Sequence, residues 1–257
     1  MFDLTLQLLT FLTAIGVSTF AMVSGGEGAI IFTPFFIGLG IEPTQAISTA
    51  FLTQLFGKTS GTIGYHLKKE KHIQWNIVLM LILFSAPFVV IGSYFTYMLT
   101  SSIVKTLFGG MILVLALLMA YSFRKQDSNR ESVNGREITK LSFVPAIAGF
   151  LTGIFSIGAG TINMVLLERI LKLRIIKTVA TVVATMAITA LFGSIVHAYY
   201  GLRWDIIPFT VSGVLIGGQI GPRIASWLDK KQKSHLIKIL FITLTIIVGS
   251  IMIISSF

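Results

Sequence analysis

The chain has no cysteine, which excludes disulfides, thiolate metal ligands and thiol-relay redox chemistry. It is also poor in charge: only 12% of its 257 residues are Asp, Glu, Lys or Arg, about half the share of a soluble domain. No Gly-x4-Gly-Lys-Ser/Thr nucleotide loop is present, so ATP drive would require another subunit. No His pair has metal-ligand spacing, and Ser and Thr are scattered rather than gathered into a nucleophilic constellation. The sequence therefore argues against an enzyme, and no metal or cofactor is expected.

What is present is apolar. Hydrophobic residues make up 54% of the chain and the mean hydropathy is +0.87. Apolar runs fall at 4–23, 28–40, 44–66, 75–99, 103–123, 141–155, 158–172, 176–200, 205–228 and 236–256. Many approach the ~20 residues that cross a bilayer as a helix. The expectation is an all-α polytopic membrane protein without a sizeable aqueous domain. The first run lacks a positive n-region and reads as a structural segment rather than a cleaved signal. The net charge of +10 sits mostly in short loops, as topology signals do, and is not a nucleic-acid footprint.

The chain also repeats itself. Ser24-Gly25-Gly26-Glu27-Gly28 recurs as Ser156-Ile157-Gly158-Ala159-Gly160. In the same register Thr49 meets Thr181, Thr53 meets Thr185 and Gly61 meets Gly193. After a short deletion Trp75 meets Trp204 and Gly92 meets Gly221. Duplicated apolar halves with matched glycines are the mark of a two-repeat transporter. The halves are 1–123 and 141–257. Residues 124–140, with five basic and three acidic residues and no apolar period, are expected to form a mobile cytoplasmic linker.

Charge fixes an expected topology. Basic clusters at Lys68-Lys69-Lys71, in 124–140, at Lys172-Arg174-Lys177 and at Lys230-Lys231-Lys233 belong in the cytoplasm, whereas the loops at 99–102 and 201–204 carry little charge. Matched loops then fall on opposite sides. That gives two inverted-topology repeats, each a glycine-broken helical hairpin followed by three transmembrane helices, with both termini extracytoplasmic. Segments 28–40, 141–155 and 158–172 are short for a bilayer, so the hairpins are either re-entrant or cross fully with tilt.

These residues carry a resemblance. Gly25-Gly26-x-Gly28, Pro34, Ile41-Glu42-Pro43, Ala46, Ser48-Thr49, Gly61, Gly64-Tyr65 and Trp75 are similar to the TauE/SafE sulfite exporter family. So are Gly153, Gly158, Gly160, Ala180-Thr181, Gly193, His197, Trp204, Gly213, Gly217, Gly221 and Arg223. The resemblance covers roughly 16–256. It implies a multi-pass inner-membrane transporter of small anions such as sulfite, sulfonates or related organic acids, and export as the direction. Glu27, where the family commonly has small residues, and Lys58, a charge within a span, depart from the pattern.

Candidate substrate contacts follow from the turns. Glycine turns at Gly25, Gly26 and Gly28, and at Gly158 and Gly160, free backbone N–H groups, and a helix starting there suits an anion. Opposed halves would bring the turns face to face near the midplane, with Ser24, Ser156, Asn163, Thr49 and Thr181 as added donors. The bland alternative is tight helix packing by small residues. A charge at a helix centre costs about 2.5–3.5 kcal/mol on insertion scales, so Lys58 should face protein or water. It reads as a cation for the substrate anion, a partner for Glu27, or a snorkelling lysine. Glu27 reads as a charge-pair partner of Lys58, as a proton-coupling group, or as a sign that the chain carries a cation or zwitterion. Gln54, His66, His197, Gln219 and Arg223 are secondary candidates, with His197 and Tyr65 placed as interfacial anchors. The leading expectation is a secondary transporter. The alternative is a membrane accessory protein, assembly factor or intramembrane enzyme. The sequence leaves the oligomeric state open.

Overall fold

In lipid an apolar segment must satisfy its own backbone, which a helix does. The computed structural model describes residues 4–68, 70–122 and 130–231, together with Thr243 and Ile246. Their order is α1 (Leu4–Ser24), α2 (Ala29–Gly38), α3 (Pro43–His66), α4 (Trp75–Phe95), α5 (Ser101–Ser122), α6 (Gly135–Thr139), α7 (Phe143–Phe155), α8 (Ala159–Val165), α9 (Ile175–His197) and α10 (Ile207–Lys230). The expected segment 236–256 lies outside the described residues except at those two positions.

Helices α1, α4, α5 and α9 are long and apolar enough to cross a bilayer. Their outward side chains, among them Leu8, Leu12, Leu79, Leu83 and Leu117, are exposed, as a lipid-facing surface requires. Helices α3 and α10 are as long, at 24 residues each, but more polar. The chain is thus an all-helical, multi-pass membrane protein, and α3 holds its polar residues inside.

Two seams of small residues set the arrangement. α1 runs along α10, and α7 along α4. A Cβ on Gly213 would stand 2.6 Å from Phe11 O, and one on Gly217 2.5 Å from Ile15 O. On the other seam, a Cβ on Gly149 would overlap Ser85 O, one on Gly153 Val89 O, and one on Gly92 Phe150 O. Residue numbers rise together along both seams, so each pair is parallel. At the centre α3 and α9 are antiparallel, with Phe51 against Gly193 and Gly61 against Val183.

The loops sort to two ends. At one, Arg174 pairs with Glu131 and Asp229, Lys177 with Glu131, and Asn76 Nδ2 donates to Val133 O. At the other, Ser101 donates to Glu42, Arg203 N–H to Thr49 Oγ1 and Tyr200 Oη–H to Ser93 O. The basic clusters that the structure describes therefore share one end.

Three local expectations differ. Segment 158–172 is not one regular helix: α8 gives way to a π turn, Leu166–Ile170, where Leu171 N–H reaches back five residues to Leu166 O. The described part of the linker is structured rather than free. Arg130 exchanges backbone hydrogen bonds with Lys172 and Arg174, and α6 follows. Tyr65 and His197 are fully buried rather than interfacial, because each finds a carbonyl partner: Tyr65 Oη–H donates to Met22 O at 2.7 Å, and His197 Nε2 lies 2.8 Å from Gly153 O.

Glu42 caps α3 by accepting from Gln45 N–H and also ties the start of α5 through Ser101. Burial works to raise its carboxyl, but the hydrogen bonds from Ser101, Thr44 and Gln45 outweigh it and hold the group below its usual value of 4.5. A depressed carboxyl stabilises the fold above that usual value and stops doing so as pH falls through the lower folded one. Glu42→Gln should lower thermal stability at pH 7 by about 1 kcal/mol or less, since the site is exposed. The gap between the two proteins should close when melting is repeated well below pH 4.5.

Candidate functional site

The site is built from two helix breaks. In the first, Ser24 Oγ donates to Phe20 O and accepts from Gly26 N–H, ending α1. Gly25 then takes φ +69°, a left-handed value that costs an L side chain. In the second, Ser156 and Gly158 adopt φ of 61° and 132°, and Thr152 Oγ1 accepts from Ala159 N–H at 2.6 Å to start α8. All residues from 24 to 28 and from 156 to 160 are buried.

The breaks touch each other. The Glu27 carboxylate, fully buried, accepts from Gly158 N–H at 2.5 Å, from Gly160 N–H, and from Thr161 N–H at 3.3 Å. Three N–H groups freed by the second break thus close around a carboxylate from the first. Gly160 is needed there, because a Cβ would meet Glu27 Cγ at 2.7 Å and Met186 Sδ at 2.8 Å.

Helix α3 serves both breaks. Lys58, 1% exposed, donates from Nζ to Gly26 O at 2.6 Å. One turn earlier, Gln54 Nε2 donates to Ser156 O at 2.9 Å and Ser156 Oγ at 2.8 Å. The matched positions on α9 are Met186 and Ala190, which offer no such donors. Lys58 and Glu27 form no ion pair within 4 Å; each is held by backbone of a different break.

Not all polar capacity is used. Gln54 Oε1, Thr161 Oγ1 and both side-chain atoms of Asn163 are buried without a hydrogen-bond partner. Such orphans are uncommon in native interiors and mark places where water or a ligand is accommodated. Gln54, Lys58, Thr53, Gly28, Met22 and Phe32 help to line a cavity of about 10 Å³, room for roughly one water.

The structure thus brings together Ser24, Gly25, Gly26, Glu27, Gly28, Lys58, Ser156, Gly158 and Gly160, with Asn163 on α8. It sets Thr49 and Thr181 apart, near opposite ends of the bundle, where they accept from Arg203 N–H and Gln74 N–H and anchor the approaches to α10 and α4. Gln219 is committed to Ser60, Arg223 is exposed, and His66 stands edge-on to Trp75. The sequence marks Gln54 only as a secondary candidate. Its spacing of four from Lys58, on one face of α3, was the available signal. Among the described residues no group of three His, Cys, Asp or Glu is placed to hold a metal.

A family description built around a sulfite exporter, TauE/SafE, matches residues 10–252, which is nearly all of the chain. The chain belongs to the TauE/SafE sulfite exporter family. Its relatives include the probable membrane transporter protein ORF9 of Sinorhizobium sp., 26% identical over 95% of this chain and 93% of that one. The probable membrane transporter protein YjnA of Bacillus subtilis is 25% identical over 79% of this chain and 85% of its own length. YunE of the same organism, also a probable membrane transporter protein, is 24% identical over 87% and 90% respectively. No solved structure matches the chain. For this TauE/SafE protein, membership of a membrane transporter family and several bilayer-length helices agree.

Proposed function

We propose that this protein is a secondary transporter, not an enzyme, that carries a small sulfur-containing or carboxylic anion through the cytoplasmic membrane by alternating access around the two helix breaks. The observation that carries the reading is the Glu27 carboxylate seated among the N–H groups of the opposite break. A sulfite or sulfonate offers the same chemistry, negative oxygens accepting several N–H donors. Glu27 therefore occupies the anion position as a tethered surrogate. Arrival of substrate displaces it, and protonation of the displaced carboxylate couples a proton to the cycle.

Lys58 supplies the compensating charge. With Glu27 withdrawn, its ammonium leaves Gly26 O for the anion, while Gln54 and the orphaned groups of Thr161 and Asn163 complete the shell. The resting cavity is far too small for an anion of this class, so substrate must part the helices. Glycine seams allow that as rigid-body sliding, since their faces carry few interlocking side chains.

The reading includes two inverted repeats with re-entrant hairpins. Support comes from the matching of α1 on α10 with α7 on α4, and from α2, which at 10 residues reaches only about 15 Å. It returns to the Glu42 end, where α1 also starts. The positive-inside rule assigns the end with Lys68, Lys71, Arg174 and Lys177 to the cytoplasm.

Purified protein in liposomes should accumulate sulfite or ethanesulfonate down an imposed gradient, with saturation and with dependence on pH. Glu27→Gln should flatten that pH dependence. An unchanged pH profile removes the proton role, and absence of flux for any small anion by folded protein removes the transporter reading.

A further inference from the structure

A second chamber lies on the basic side of the first. Between the end of α3 and the start of α4, Tyr65, His66, Lys68, Lys71, His72 and Trp75 line a cavity of about 330 Å³ that opens to the surface. Two lysines and two histidines face it; Glu70 lies 3.6 Å from His72 Nε2, and Asp229, Arg174 and Lys177 also act on that ring. The volume accommodates a sulfonate with its organic tail, and the lining offers cations for one end and an indole for the other.

Its inner wall is thin. Tyr65 lines this chamber, and its hydroxyl donates to Met22 O at 2.7 Å. Met22 in turn lines the small cavity that holds Lys58 and Gln54. Tyr65 lies seven positions beyond Lys58 on α3, about 10 Å along the helix. The Met22 side chain fills the gap, pressed against Gly61 of α3 and Gly221 of α10.

We infer that the basic chamber is the vestibule in which the anion waits on the Lys68–Lys71 side, and that the Tyr65–Met22 contact is the partition between it and the Lys58 site. The inference rests on the anion-transport reading, and it adds a docking site and a gate which that reading does not require. Lys68 and Lys71 concentrate the anion at the mouth. Loss of the hydrogen bond from Tyr65 to the Met22 carbonyl loosens the end of α1 from α3, which lets the turn bearing the Met22 side chain shift and joins the two cavities into one path.

The absence of native cysteine gives a direct test that does not depend on flux. Single cysteines are placed in the vestibule (His66→Cys), in the inner cavity (Thr53→Cys) and in the first turn of α5 at the opposite end of the bundle (Ser102→Cys). Each is reacted with an anionic thiosulfonate, methanethiosulfonate ethylsulfonate, and with its trimethylammonium counterpart. The anionic reagent should be favoured at position 66 by about tenfold relative to position 102, as expected for two nearby lysines. Lys68→Gln with Lys71→Gln should remove that preference. Tyr65→Phe should accelerate anionic labelling at position 53 severalfold and leave the preference at 66 unchanged. Equal preference at 66 and 102, or a preference that survives loss of both lysines, overturns the vestibule. No acceleration at 53 overturns the partition. The same labelling in nanodiscs separates the two sources of an anion. Protection at 66 by ethanesulfonate supports the inference; protection by phosphatidylglycerol but not by ethanesulfonate assigns the chamber to lipid headgroups and overturns it. Liposomes without flux would defeat the transporter reading yet leave these rates to be read on their own.

Discussion

Lys58→Met should reduce anion flux at least about 100-fold, far more than its effect on stability accounts for. The two effects have separate origins. Holding an ammonium in a dry interior costs several kcal/mol, and one hydrogen bond to Gly26 O offsets only part of it. Methionine fills nearly the same volume with no charge to bury. Against that, the substitution leaves the Gly26 carbonyl unpaired, about 1–3 kcal/mol, and takes from the buried Glu27 carboxyl the cation that acts on it. The balance is a moderate loss of stability. Transport, by contrast, loses the one buried cation among the described residues that stands beside both breaks. Measuring flux in liposomes together with melting in detergent separates the alternatives. A structural lysine would show lost stability with flux falling in proportion. Full flux at unchanged stability would remove Lys58 from the substrate path.

Gly217→Leu should prevent assembly of the bundle, with a loss above about 3 kcal/mol. Its Cβ would lie 2.5 Å from Ile15 O, and the obstacle is backbone, which cannot turn aside as a side chain can. The α1–α10 seam would have to open along its length, taking the Ser18 Oγ–Val214 O hydrogen bond with it. Gly110 is the internal comparison. It sits in α5 with nothing within 4 Å of a built Cβ. Gly110→Ala should therefore be neutral or stabilise by about 0.5–1 kcal/mol through helix propensity. Thermal unfolding of both variants in one detergent provides the check; similar behaviour would mean the seam is looser than its geometry implies.

Much of this architecture was legible because lipid imposes a simple grammar. The apolar runs at 28–40, 44–66 and 141–155 reappear as Ala29–Gly38, Pro43–His66 and Phe143–Phe155. The repeated Ser-to-Gly motif located both helix breaks, since glycine at φ +69° and +132° is what such breaks demand. What escaped was partnership at long range. Nothing in the local pattern says that Glu27 reaches residues 131 and 133 positions away. Thr49 and Thr181 looked like site hydroxyls because they are matched, but the match reflects a shared structural task, anchoring the approaches to α10 and α4. Tyr65 and His197 resembled surface anchors because an aromatic at the end of a span commonly is one. Only the fold reveals carbonyls of α1 and α7 waiting for them.

The unlike furnishing of α3 and α9 has a mechanical consequence. In the alternating-access reading proposed above, a carrier made of two identical arms would swing between two-fold-related poses of equal energy and show no preference for either. Here one arm bears an amide and an ammonium where its twin bears a thioether and a methyl group. In that reading, exchanging their roles is an uphill step in one sense and a downhill step in the other, and the empty carrier is expected to rest facing one side of the membrane.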